Sequence, residues 1–65
     1  MLPARAVAER YRLAWEKELR AMNEMVRGAA EDHSHLPQNY WEPERAARGR
    51  YLMVLKLAEV LEEPA

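Results

Sequence analysis

Residues 31–44, EDHSHLPQNYWEPE, form the only part of the 65-residue chain that does not have the composition of a helix. This stretch contains both histidines, one of the two tryptophans and two of the four prolines. The flanking segments are rich in Ala, Arg, Glu and Leu, most of which are strong helix formers. The chain is therefore predicted to be all-α, with two helices joined by a connector.

Proline and glycine predict where the two helices begin and end. Pro3 suits the first position of a helix, where its missing N–H needs no partner, and Gly28 suits a C-terminal stop, although one more turn is possible. Pro43 suits the start of the second helix, whereas a start with Asn39 as N-cap would place Pro43 where a backbone donor is needed. We expect one domain over residues 1–65, with helices at about 3–28 and 43–62 and a connector at 29–42.

The apolar residues of the two helices predict that a single hairpin is incomplete. They cover an arc of about 160° on the first helix and roughly 220° on the second, whereas one partner covers little more than about 100°. We therefore predict an antiparallel two-helix hairpin that dimerises into a four-helix bundle, with a complex with a larger protein as the alternative. The residues expected at the interface are Tyr11, Trp15, Met22, Tyr51, Val54, Leu57 and Leu61.

One charged residue interrupts the apolar arc of each helix. Glu18 lies among apolar residues of the first helix, and Arg50 lies at a matching depth in the second. A buried charge is costly unless it is paired, so we predict a buried ion pair between Glu18 and Arg50, within the hairpin or across the dimer. The alternative is that one of the two side chains reaches solvent along its aliphatic stem.

The connector is long, and its two histidines raise the question of a metal site. Fourteen residues are more than the two to eight that usually join packed helices, so we predict that Tyr40 and Trp41 fold back as a plug on the end of the bundle. His33 and His35, beside Asp32, are weak candidates for metal ligands. A closed metal site needs three or four supported ligands, so a solvated turn is the favoured interpretation and no metal or other cofactor is expected.

Composition argues against several classes of function. The chain has no Cys, no Thr and a single Ser, and its two glycines are isolated, so neither a nucleophile with its base nor a phosphate loop is indicated. We predict no catalytic residues and no enzyme activity. The absence of Cys and of a signal-like N-terminus leads us to expect a cytoplasmic protein, and no segment is apolar enough to suggest a membrane span.

Nucleic acid binding is a weaker alternative. Arg45, Arg48 and Arg50 cluster near the start of the second helix, but the net charge of the chain is −1 and acidic residues alternate with the basic ones. The connector is also far longer than the turn of about 3–4 residues that precedes a DNA-reading helix. At the other end of the hairpin, three basic residues are expected to face three acidic ones: Arg5, Arg10 and Arg12 opposite Glu59, Glu62 and Glu63.

These patterns together favour a small non-enzymatic interaction module. We expect it to bind itself as a homodimer and to bind another protein, as an adaptor, assembly or regulatory subunit. A nucleic-acid-binding regulator and a His-loop metal-binding protein remain the alternatives. A helical hairpin is common to many unrelated small proteins, so the pattern indicates no single family.

Overall fold

The computed structural model describes residues 3–62, and this range consists of two helices and no strands. The first helix, α1, spans Ala4–Asp32, and the second, α2, spans Glu42–Glu62. Neither of these helices is both long and apolar enough to cross a membrane. The prediction of an all-α chain is thus confirmed for the described range.

Helix α1 continues past Gly28, where the sequence analysis placed its end. It ends instead at Asp32, and it is capped by His33, whose φ of 54° and ψ of 32° lie in the left-handed region. The backbone N–H groups of His33 and Ser34 both donate to the carbonyl of Ala29, the latter at 3.0 Å, as in a helix stop of the Schellman type. Gly28 has no positive φ, so it does not terminate the helix.

Helix α2 begins one residue before the predicted start at Pro43. The backbone N–H of Arg45 donates to the carbonyl of Trp41 at 3.0 Å, which closes the first turn. Glu42 and Glu44 are the acidic residues of that turn, where they favourably meet the positive end of the helix dipole. Pro43 lies within the first turn, where its missing donor costs nothing.

The two helices pack side by side in opposite directions. Trp15 of α1 stacks on Tyr51 of α2, and Arg5 near the start of α1 forms an ion pair with Glu62 at the end of α2. Since each residue rises about 1.5 Å, α1 projects roughly two turns beyond the first residue of α2. Residues 33–41 must return along that distance before α2 begins.

The hairpin has a narrow contact line and little interior. The buried residues within 3–62 are Ala8, Ala47, Ala58 and Glu44. No large side chain of the described range is fully buried. Two helices packed side by side form a single layer, in a structure that measures 55 × 16 × 15 Å. A single layer leaves most apolar side chains open to solvent.

Candidate functional site

A cluster of aromatic and charged side chains lies where the two helices meet. The Trp15 and Tyr51 rings stack with centroids 5.6 Å apart and an interplanar angle of 14°. The indole Nε1 of Trp15 donates a hydrogen bond to Oε1 of Glu44 at 3.3 Å, and Nε of Arg48 lies 3.5 Å from the same oxygen. Glu44 is 6% exposed, and a buried carboxylate needs polar partners. Trp15 of α1 and Arg48 of α2 provide them.

Glu44 is not among the residues that the sequence pattern predicts to be buried. A signal for it was present, because Glu44 lies three residues before Ala47 and seven before Tyr51, on the same helical face. Of the predicted interface residues, the structure places Trp15, Met22, Tyr51 and Val54 in half-buried positions. It leaves the other three, Tyr11, Leu57 and Leu61, exposed.

A second apolar surface runs along one side of the hairpin and is not covered by the chain itself. Its residues recur at alternating spacings of three and four, as in helices that pack on a neighbour. On α1 they are Val7, Tyr11, Ala14, Glu18, Ala21 and Met25. On α2 they are Ala46, Arg50, Met53, Leu57 and Val60. We call these two sets together the outer face.

Both halves of the outer face lie on the same side of the hairpin. Val7 of α1 and Leu57 of α2 line one groove of about 410 Å³ at the end opposite the connector, together with Pro3, Val54 and Leu61. The large apolar side chains of the outer face are most exposed on α2, where Met53 is 64%, Leu57 57% and Val60 58% exposed. The broad apolar arc predicted for the second helix therefore divides into a part that meets α1 and a part that meets solvent.

Another groove, of about 500 Å³, lies beside the first turns of α2 and extends the outer face toward the connector. It is lined by Trp41, Arg45, Gly49, Arg50 and Met53 among others. The guanidinium carbon of Arg45 lies 5.5 Å from the centre of the Trp41 ring, within the range of a cation–π contact. Trp41 is 41% exposed and Tyr40 is half-buried, and their role as a plug on the end of a bundle stays a prediction.

The predicted pair of Glu18 and Arg50 is not formed within one chain. Glu18 is half-buried and Arg50 is exposed, and neither takes part in an ion pair with another residue of the range 3–62. The reason is rotational, because the face of α2 that contacts α1 contains Ala47 and Tyr51, and Arg50 points about 100° away from Tyr51. A pair between two chains stays a prediction.

The charged side chains concentrate on the side away from the outer face. Arg12 donates to Glu9 and also to Oε1 of Glu16 at 2.8 Å, while Arg20 lies 3.7 Å from Glu16. The hydrogen bond from Arg12 lowers the pKa of the Glu9 carboxyl below its ordinary value, against the opposing effect of desolvation. The same contact with Glu9 raises the pKa of Arg12. The side of α1 away from the outer face is thus a solvated ionic surface.

The connector brings its candidate ligands to the surface. His33 and His35 are both exposed, whereas Leu36 and Tyr40 are half-buried. No group of three or more His, Asp or Glu side chains within residues 3–62 is arranged to hold a metal ion. The connector ends in two turns. The backbone N–H of Tyr40 donates to the carbonyl of Pro37, and that of Glu42 donates to the carbonyl of Asn39.

The outer face is the feature of this chain that most needs a functional explanation, since its large apolar side chains on α2 are exposed to solvent. Comparison with known proteins does not supply that explanation: no family model matches the chain, and no similar protein was found among curated proteins or solved structures.

Proposed function

We propose that this chain is a non-enzymatic interaction module whose outer face is covered by another helical surface, in the first instance by a second copy of itself. The observation that supports this most directly is the exposure of Met53, Leu57 and Val60 along α2. Soluble monomers rarely expose a continuous apolar strip of this kind. In a homodimer the two outer faces cover each other and form a four-helix bundle.

The energetics of the single hairpin support the same proposal. Its buried residues are three alanines and one glutamate, whose burial yields far less than that of large apolar side chains. Burying one exposed Met, Leu or Val contributes about 1.5–3 kcal/mol, and each partner supplies several. Chains of this size commonly depend on association. The hydrophobic core of a chain shorter than about 70–80 residues rarely stabilises the fold by more than roughly 3–5 kcal/mol.

The wider role that we propose is that of an adaptor, assembly or regulatory subunit. A dimer of this kind would display two charged surfaces, on the sides away from the outer faces, to which a further protein could bind. Its place of action would be the cytoplasm, as the lack of cysteine suggests.

The first test is the mass of the chain in solution. Sedimentation equilibrium at micromolar concentration should give twice the chain mass of 7.6 kDa, or about 15 kDa. The melting temperature should also rise with protein concentration, because association stabilises the folded state by mass action. A folded monomer of 7.6 kDa whose melting temperature does not depend on concentration would refute the proposal.

A matched pair of variants locates the interface. Leu57→Glu places a charge on the outer face, whereas Leu52→Glu makes the same change at 54% exposure on another side of α2. We expect Leu57→Glu to abolish the dimer, since an unpaired charge would be buried, and Leu52→Glu to retain it. Equal effects of the two substitutions would show that the outer face is not the interface. Circular dichroism of each variant reports whether helix is lost together with the dimer.

A further inference from the structure

The outer face contains one acidic and one basic residue, and neither has an ionic partner among residues 3–62. Glu18 interrupts the α1 half, and Arg50 interrupts the α2 half. Every other position of the outer face that we defined is apolar. In a covered face each of these charges would need a partner, because a buried unpaired charge is strongly destabilising.

The two charges lie at nearly the same height along the hairpin. Trp15 and Tyr51 stack and so mark a common height on the two helices. Glu18 follows Trp15 by three residues, and Arg50 precedes Tyr51 by one, so both steps lead toward the connector. Given a rise of about 1.5 Å per residue, Glu18 and Arg50 lie within about one helical turn of the same height.

Two symmetric ways of stacking the outer faces treat these charges differently. A two-fold axis perpendicular to the helices lays each helix on the same helix of the partner. Depending on where the axis lies along the helices, Glu18 would then approach either the partner's Glu18 or apolar residues. The same holds for Arg50 and the partner's Arg50. A two-fold axis parallel to the helices lays α1 on the partner's α2 at unchanged height. Only the parallel axis brings each glutamate to an arginine, which is the self-complementary arrangement that a symmetric dimer requires.

We infer that two copies of this chain associate through their outer faces about a two-fold axis parallel to the helices, so that Glu18 of each copy pairs with Arg50 of the partner subunit. This inference rests on the proposed function and adds the symmetry and register of the dimer to it. The two reciprocal pairs select one alignment of the apolar strips, in the way that single polar residues in coiled-coil interfaces fix register. They also disfavour other helical partners that lack a complementary charge at that height.

The test is a charge exchange between two chains. In Glu18→Arg both positions are basic, and in Arg50→Glu both are acidic, so each homodimer would place like charges together twice. We expect each variant alone to self-associate about 100-fold or more weakly than the natural sequence, because like charges at an interface cost several kcal/mol. An equimolar mixture should restore association, since both contacts in the heterodimer are then between opposite charges. Native mass spectrometry separates this heterodimer from the homodimers by mass.

The double variant Glu18→Arg/Arg50→Glu completes the experiment, because its homodimer should associate as the natural sequence does. If the double variant associates and the mixture does not, the pair lies within one chain and the inference is wrong. If each single variant dimerises like the natural sequence, the charges lie outside the interface, and the inference fails while the proposed function stands. A natural chain that is monomeric refutes the proposed function itself. Should a single variant unfold, recovery of its helical circular dichroism on mixing gives the same answer.

Discussion

Removing the carboxylate of Glu44 should destabilise the hairpin far more than removing a neighbouring carboxylate. Glu44 is 6% exposed and accepts a hydrogen bond from the Trp15 indole at 3.3 Å. Glu44→Ala leaves that N–H without its partner, which costs about 1–3 kcal/mol, and removes a first-turn charge worth about 0.3–1 kcal/mol. Because Trp15 is only half-buried, water can replace part of the bond. We therefore expect a loss of about 2 kcal/mol, near the middle of these ranges.

The control is Glu42→Ala, which removes an exposed carboxylate from the same first turn of α2. It should cost only the dipole contribution, about 0.3–1 kcal/mol. Urea unfolding followed by circular dichroism measures both variants, at one fixed protein concentration so that association does not change the comparison. Glu44→Gln, which keeps an acceptor oxygen for Trp15, should fall between the two.

A double-mutant cycle tests the cause directly. Trp15→Phe removes the indole donor, and its effect should not add to that of Glu44→Ala if the two side chains interact. We expect a coupling energy of at least about 0.5 kcal/mol. Equal losses for Glu44→Ala and Glu42→Ala, with additive effects in the cycle, would refute the account of a buried hydrogen bond between the helices.

Three other substitutions or titrations test local features of the structure. Gly28→Ala should stabilise the chain by about 1 kcal/mol in thermal or urea unfolding, since Gly28 is inside α1 and nothing lies within 4 Å of an added Cβ. His33→Gly should also stabilise it by about 1 kcal/mol, because the left-handed backbone at His33 strains any residue with a Cβ. In an NMR titration the Glu9 carboxyl should have a pKa below its ordinary value of 4.5. The stability that its contact with Arg12 contributes is therefore present above the ordinary pKa and is lost as pH falls through the lowered pKa. An unshifted midpoint for Glu9, or destabilisation by either of the other two changes, would contradict these assignments.

Local sequence signals predicted the start of each helix well and the end of α1 poorly. Pro3 and Pro43 lie within one residue of the observed starts, because the fixed φ of proline suits the first turn of a helix. Gly28 was assigned as a stop, but a glycine inside a helix costs only about 1 kcal/mol. The good helix formers that follow it, Ala29 and Ala30, extend the helix to the turn at His33.

The candidate site was predictable in composition but not in orientation. The width of the apolar arc on the second helix correctly indicated more apolar surface than α1 can cover, as the exposure of Leu57 shows. Periodicity could not tell which part of that arc faces α1, since both parts are apolar, and so it left open whether Arg50 meets Glu18 within the hairpin or across the dimer. Glu44 was missed for the opposite reason. A charge in the first turn of a helix is ordinarily solvated, and only the packing of Trp15 against α2 encloses it.

The return path of residues 33–41 links the length of α1 to the length of the connector, which would otherwise vary independently. Because α1 projects roughly two turns beyond the start of α2, the connector must span that distance as well as cross between the helices. Deleting connector residues alone would pull α2 toward the tip of α1 and shift the two halves of the outer face out of step. Deleting one turn of α1 would instead leave a slack loop. In any lineage that conserves this hairpin, insertions and deletions in the last turns of α1 should therefore occur together with compensating changes in the connector, as paired events.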